Sequence, residues 1–215
     1  MIPAAAVYDH LKKHMPTHQW WPAESKWEII IGSILVQNTN WKNVEYSLVN
    51  LKEKTLFEPS KITALSLEEI QDLIRPSGFY VNKGKTIKAV FSWLEEYDFD
   101  LKDIEKTYDQ QLREQLLSLR GIGEETADVL LVYVFDGVEF IADRYAQRLF
   151  SRLGVEEIKN YKNLKSRVYL PADFNTKQAK AFHALIVDFG REFLKNDETW
   201  NNSFMSSFIF EDKQN

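Results

Sequence analysis

Apolar residues in this chain recur at helical spacing and almost nowhere alternate as in strands, and that period limits what the chain can fold into. In SKWEIIIGSILVQ, residues Trp27, Ile30, Ile31, Ile34 and Leu35 fall at i, i+3, i+4, i+7 and i+8, one apolar stripe, with Ser25 where an N-cap belongs. A second helix is predicted over 41–53. Ser66 followed by Glu68 and Glu69 starts another, which must end before Pro76. Further helices fit 83–96, 109–118, 124–135, 144–153, 161–169 and 176–195, the last carrying Phe182, Ile186, Phe189 and Phe193 on one face. The expected fold class is all-α, without repeats or a low-complexity linker.

Composition narrows the chemistry. The chain has 215 residues, 44% apolar and 27% charged, enough for one or two domains with a substantial core. It has no cysteine, which excludes disulfides, thiolate zinc sites, an iron–sulfur cluster and a Cys nucleophile. Four histidines argue against a His-built metal site. No stretch approaches the roughly 18 apolar residues of a membrane span and the first residues lack a signal-peptide apolar run, so a cytoplasmic protein without membrane contact is expected.

The net charge of −5 argues against wholesale coating of nucleic acid, but a ligand responds to the local field. Residues 75–94 contain no Asp or Glu while carrying Arg75, Lys83, Lys85 and Lys88; over 140–154 the only acid is Asp143, among Arg144, Arg148 and Arg152. Taken alone, this pattern reads as ordinary solvated helix faces.

The segment 119–154, LRGIGEETADVLLVYVFDGVEFIADRYAQRLFSRLG, is the most informative. Gly121-Ile122-Gly123 between two helices makes a tight hairpin, and the free N–H groups and positive end of the next helix suit a phosphate. A bare GIG is equally a plain turn. The context adds Asp143, a lone carboxylate placed to face developing positive charge.

LRGIGEETA followed by ADRYAQRLFSRLG resembles the helix-hairpin-helix and catalytic-Asp signature of the endonuclease III superfamily of DNA glycosylases. WWPAESKWEIIIGSILVQNTNW, RPSGFYVNKGKTIK and FHALIVDFGREFL resemble its other blocks in the same order. The Trp-Trp-Pro block, RPSGFY and Glu125 are most similar to its alkylation-specific branch, 3-methyladenine DNA glycosylase III. The resemblance implies two helical domains: a six-helix barrel carrying the hairpin, over 22–136, and a second domain from both chain ends, 1–21 with 137–215. It implies a pocket in a cleft between them.

The same resemblance distributes roles. Asp143 would be the catalytic carboxylate, supporting an oxocarbenium-like transition state; a plain N-cap is compatible with that. Glu125 would be among the substrate-binding residues and stands where bifunctional relatives carry the attacking Lys, so base removal without strand cleavage is implied. Trp20, Trp21, Pro22 and Trp41 would wall the pocket for a cationic purine, although large aromatics at a helix start also suit a core. Gln37 would plug the gap left by the extruded base and Phe79 would wedge beside it, against the alternatives of a helix C-cap contact and a packed loop anchor. Asn38 would order the turn after Gln37. Gly121 and Gly123 would hold a phosphate through their N–H groups, with Arg120, Lys83 and Lys85 as phosphate contacts or solvated surface cations. Carbonyls of Leu117, Leu119 and Ile122 would take an optional monovalent cation, Na or K; no cofactor is required. Many relatives hold an iron–sulfur cluster after the FGR block, where this chain has Leu194 and a tail whose Trp200, Phe204 and Phe208 would cap the fold instead. His183 reads as a packed, hydrogen-bonded residue.

The expected partner is double-stranded DNA containing a damaged base, acted on by a monomer whose abasic product passes to an abasic-site endonuclease. Two other readings stay open: a glycosylase for oxidised or mismatched bases, and a non-enzymatic helix-hairpin-helix DNA-binding module.

Overall fold

The computed structural model describes residues 2–17 and 21–210. In chain order it contains β1 (Ile2–Pro3), α1 (Ala4–His14), α2 (Lys26–Leu35), α3 (Trp41–Thr55), α4 (Pro59–Ala64), α5 (Leu67–Leu73), α6 (Tyr80–Glu95), α7 (Leu101–Tyr108), α8 (Leu112–Ser118) and α9 (Glu124–Tyr133). After these come α10 (Arg144–Arg152), α11 (Tyr161–Lys165), β2 (Val168–Tyr169), α12 (Thr176–Phe193) and α13 (Asp197–Asn201). The fold is all-α, its only sheet among the described residues a two-residue parallel pairing of β1 with β2. The chain divides into two compact units, 23–136 and 1–22 with 137–215.

In the 23–136 unit, α2 is the central helix. IIIGSIL is apolar on nearly every side, so the helix is buried rather than amphipathic, and it packs against α3, α6 and α9. Its start is set by Ser25, whose hydroxyl accepts from Glu28 N at 3.2 Å. Ile30, Ile31, Ile34 and Leu35 join Val44, Leu48 and Leu51 of α3, Ile87, Phe91 and Leu94 of α6, and Ala127, Leu130 and Val134 in one core. Ser66 and Glu69 form a reciprocal capping box at α5, and the following Arg75-Pro76-Ser77 is a 3-10 turn.

The other unit is built around α12. Its buried stripe includes Phe182, Ile186 and Phe189. Phe182 meets Tyr8 of α1 edge-on at 5.7 Å and Phe140 at 5.8 Å; Phe140 in turn meets Phe150 of α10 at 5.5 Å. Burying each such ring is worth roughly 1.5–3 kcal/mol. The tail does pack here: Phe204 lies 5.4 Å from Phe189 and 4.6 Å from His14, and Trp200 stands at right angles to Phe189 at 6.2 Å.

Three sequence expectations need correction. The helix expected over 161–169 ends at Lys165, because Val168 and Tyr169 pair with Ile2 and Pro3. The helix expected from 83 begins at Tyr80, after Phe79 in the left-handed region at φ 48°. The helices α1, α4, α7 and α13 were not expected. Three of them are short, and α7 buries only Ile104, so they carry little periodic signal.

One ion pair with a fully buried carboxylate and a partly exposed guanidinium ties the hairpin helices of the 23–136 unit. Arg113 of α8 donates from Nε to Asp128 Oδ1 at 2.7 Å and from Nη2 to Oδ2 at 3.3 Å, and Asp128, on α9, is 0% exposed. Removing one member of such a pair costs far more than the pair contributes, since the other charge stays buried. Arg113→Met is expected to lower unfolding stability by about 3–5 kcal/mol, measured by denaturant titration; a loss within 0.5 kcal/mol, the range of an ordinary surface change, would contradict it.

Candidate active site

Asp143 is placed by the close packing of α10 on α12. Gly190 of α12 faces Tyr145, and any Cβ at 190 would overlap the Tyr145 ring, so only glycine lets the first turn of α10 lie this near. Asp143 is the residue before that turn. Its Oδ1 accepts from Ala146 N at 2.7 Å, its carbonyl accepts from Gln147 N at 2.9 Å, and it is 8% exposed. The N-cap expectation is therefore met. One carboxylate oxygen is held by the backbone at the helix start. The other, Oδ2, lies 3.8 Å from His183 Nε2 of α12. That separation exceeds hydrogen-bond length. His183 is buried as expected; its approach to Asp143 is not readable from a spacing of forty residues.

The hairpin lies in the 23–136 unit. Gly121 has φ +78°, and a Cβ there would overlap the Thr86 side chain of α6, so two separate reasons demand glycine. Ile122 is buried and its N–H donates to Leu119 O at 3.2 Å, closing the turn. Gly123 is the N-cap of α9 and has no side chain to cap it. Among the described residues, the N–H groups of Gly121 and Gly123 have no backbone acceptor. Arg120 is exposed beside the turn, and Glu125 is exposed in the first turn of α9.

Gln37 reaches this hairpin: its Nε2 donates to Thr126 Oγ1 at 3.0 Å and to Gly121 O at 3.3 Å. Asn38 follows in the left-handed region at φ 54°, so it turns the chain. Phe79 is 67% exposed, an uncommon position for a phenylalanine and not that of a packed anchor.

Lys83 does not stand where a phosphate contact would. It is 4% exposed, and its Nζ donates to Leu35 O at 2.7 Å and to Ser77 O at 2.8 Å. Those carbonyls belong to the end of α2, just before Gln37, and to the turn before Phe79, so this lysine fastens both segments from inside. Lys85, two residues on, is exposed and remains available to an anion.

Of the expected pocket aromatics, Trp21 is 8% exposed within the 1–22 and 137–215 unit, and Pro22 beside it is exposed. Trp41 opens α3 in the 23–136 unit and is partly buried against its core. Trp20 lies outside the described residues.

Burial pushes the Lys83 ammonium down to about 8 from its ordinary 10.5. Below that value the folded chain bears the cost of a desolvated charge. Between about 8 and 10.5 the unfolded chain binds the extra proton, so this residue's contribution to stability rises with pH. The neutral amine still has two N–H donors, enough for both carbonyls. Lys83→Met is expected to cost about 1–3 kcal/mol by leaving them unsatisfied. Thermal unfolding from pH 7.5 to pH 10, spanning the shifted and ordinary Lys83 values, should show the wild-type advantage widening; a narrowing gap would contradict the assignment.

Comparison with known proteins agrees with this architecture. Residues 31–170 match the HhH-GPD superfamily base excision DNA repair protein family. A protein of Methanocaldococcus jannaschii named as a DNA repair glycosylase is 38% identical over 207 residues, covering 94% of this chain and 93% of that protein. Endonuclease III of Sulfolobus acidocaldarius is 31% identical, over 78% of this chain and 73% of its own. The crystal structure of H. pylori 3-methyladenine DNA glycosylase bound to 1,N6-ethenoadenine superposes with a TM-score of 0.66 at 30% identity, covering 87% of this chain and 94% of that one. With residues 31–170 matched by the family and most of its length shared with a relative 38% identical, this chain belongs to the HhH-GPD superfamily of base excision DNA repair glycosylases.

Proposed function

We propose that this protein is a monofunctional DNA glycosylase that hydrolyses the N-glycosidic bond of an alkylated purine of the 3-methyladenine type, flipped from duplex DNA, and leaves an abasic site. The observation that carries the reading is the Asp143 carboxylate, with Oδ1 held by the α10 start and Oδ2 left to act.

In this reaction the C1′–N bond breaks and its electron pair leaves with the base, neutralising the positive charge that alkylation placed there. The sugar becomes oxocarbenium-like. A nearby carboxylate stabilises that charge, orients water on C1′ and accepts the proton released as the new C–O bond forms. A cationic leaving group needs little protonation, so selection falls to electron-rich aromatic walls, the role assigned to Trp21, Trp41 and Pro22, and to Trp20. Exposed Phe79 is suited to wedging between base steps and Gln37 to filling the vacated position. The uncapped N–H groups of Gly121 and Gly123, with Arg120 and Lys85, would hold the backbone.

Glu125, in the first turn of α9, has no amine to attack C1′, which favours hydrolysis alone. The name of the H. pylori neighbour supports an alkylated purine as substrate. The carbonyls of Leu117, Leu119 and Ile122 are oxygen donors of the kind a hard monovalent cation takes; such an ion would stiffen the hairpin. The abasic product would pass to an abasic-site endonuclease.

Two measurements test this. Duplexes bearing 3-methyladenine, 7-methylguanine, thymine glycol or a G·T pair are scored for base release with and without alkali, and release of the alkylated purines with strand scission only after alkali is expected. Scission without alkali would overturn the monofunctional assignment, and absence of release from every duplex would favour a DNA-binding module. In single turnover, Asp143→Asn is expected to slow release by at least about 100-fold while the protein stays folded; a rate near wild type would remove Asp143 from catalysis.

A further inference from the structure

The α10 helix carries a feature that the chemistry at Asp143 does not use. Its inner face buries Ala146, Leu149 and Phe150. Its outer face exposes Arg144, Arg148 and Arg152, each four residues after the last and so spaced along one line by about 6 Å per step. Like charges at this spacing repel and weaken the helix, so a chain of net charge −5 has concentrated cations where they cost it stability. Arg152 is answered by Asp197 and lies 5.9 Å over the Trp200 ring. Among the described residues, Arg144 and Arg148 have no carboxylate within ion-pair distance.

These arginines line a surface concavity of about 340 Å³ together with Ser151, Ile158 and Leu194. No acidic residue lines it. Gln147 also borders it, but its amide donates to Ala142 O at 2.9 Å and is partly committed there. The groove therefore offers both guanidinium forks with a hydroxyl and aliphatic carbons in its lining. That pairing matches a repeating unit of anionic phosphate and apolar sugar carbons. It matches a small free anion less well, since Ile158 and Leu194 would have nothing to contact.

We propose that this groove binds the sugar–phosphate backbone of DNA, with Arg144 and Arg148 on successive phosphates and Ile158 and Leu194 against the deoxyribose. It is a DNA contact separate from the hairpin, lying within the 1–22 and 137–215 unit and beginning one residue after Asp143. The site rests on the DNA-binding part of the proposed function but not on base excision. Phosphate contacts position a protein on the duplex without reading sequence, so the groove should serve damaged and undamaged DNA alike.

The test is the salt dependence of binding to a plain duplex and to the same duplex bearing one lesion. Each phosphate contact contributes a slope of about −0.9 to log K against log salt. The double variant Arg144→Ala with Arg148→Ala is expected to flatten that slope by about two on both duplexes, with thermal unfolding at or above the wild-type temperature. An unchanged slope overturns the proposal. So does an unchanged duplex affinity accompanied by loss of inorganic phosphate or mononucleotide binding, which would make this a free-anion site. Because binding is read without catalysis, a flattened slope stands even if no base is released, and base release with an unchanged slope rejects the groove alone.

Discussion

The position of Asp143 depends on how closely α10 can approach α12. A missing side chain at Gly190 lets Tyr145 settle against the longer helix, and the first turn of α10 is thereby set at the level of His183. The carboxylate is then held through one oxygen by the start of α10, and its other oxygen is uncommitted to the backbone. A larger residue at 190 would push away the turn that holds the carboxylate, with no change to the carboxylate itself. Much of the surrounding aromatic packing, from Phe140 and Phe150 to Phe189 and Phe204, supports this approach.

The 23–136 unit solves a related problem by different means. The segments that carry Gln37, Phe79 and Gly121 leave regular helix, and irregular backbone needs partners for its polar groups. Lys83 supplies two of them from a single buried amine, Gln37 meets a hairpin carbonyl, and Thr86 occupies the space that glycine leaves at 121. In the same unit, the Arg113–Asp128 pair fastens α8 to α9. The exposed parts of the site are thus mounted on a buried polar frame. A frame of this kind keeps Phe79 out in solvent in a left-handed conformation that a phenylalanine would not hold unsupported.

Helical period identified most of the architecture, because burying one face of a helix leaves a mark every three to four residues. Ser25 and Ser66 marked helix starts by the same local logic, since a cap and the amide it accepts from lie within three residues. The glycines of the hairpin and the lone acid at 143 were legible too, because each depends on chemistry within its own segment. The stripe Ala4, Val7, Tyr8 and Leu11 was equally present in the chain, and α1 could have been read from it. The short α4 and α13 could not, being held by packing more than by pattern.

Sequence alone determined the helical class, the family resemblance, the lack of cysteine in the chain and the residue types available at Asp143 and Glu125. Tertiary structure decided which of those residues are available to act. Lys83 and Lys85 look alike in the chain, yet one is sealed against carbonyls and the other is exposed, because helical rotation over two residues carries a side chain to the opposite face. His183 stands forty residues from Asp143 and beside it in space. Contacts of that separation arise from the packing of whole helices, for which no local pattern exists.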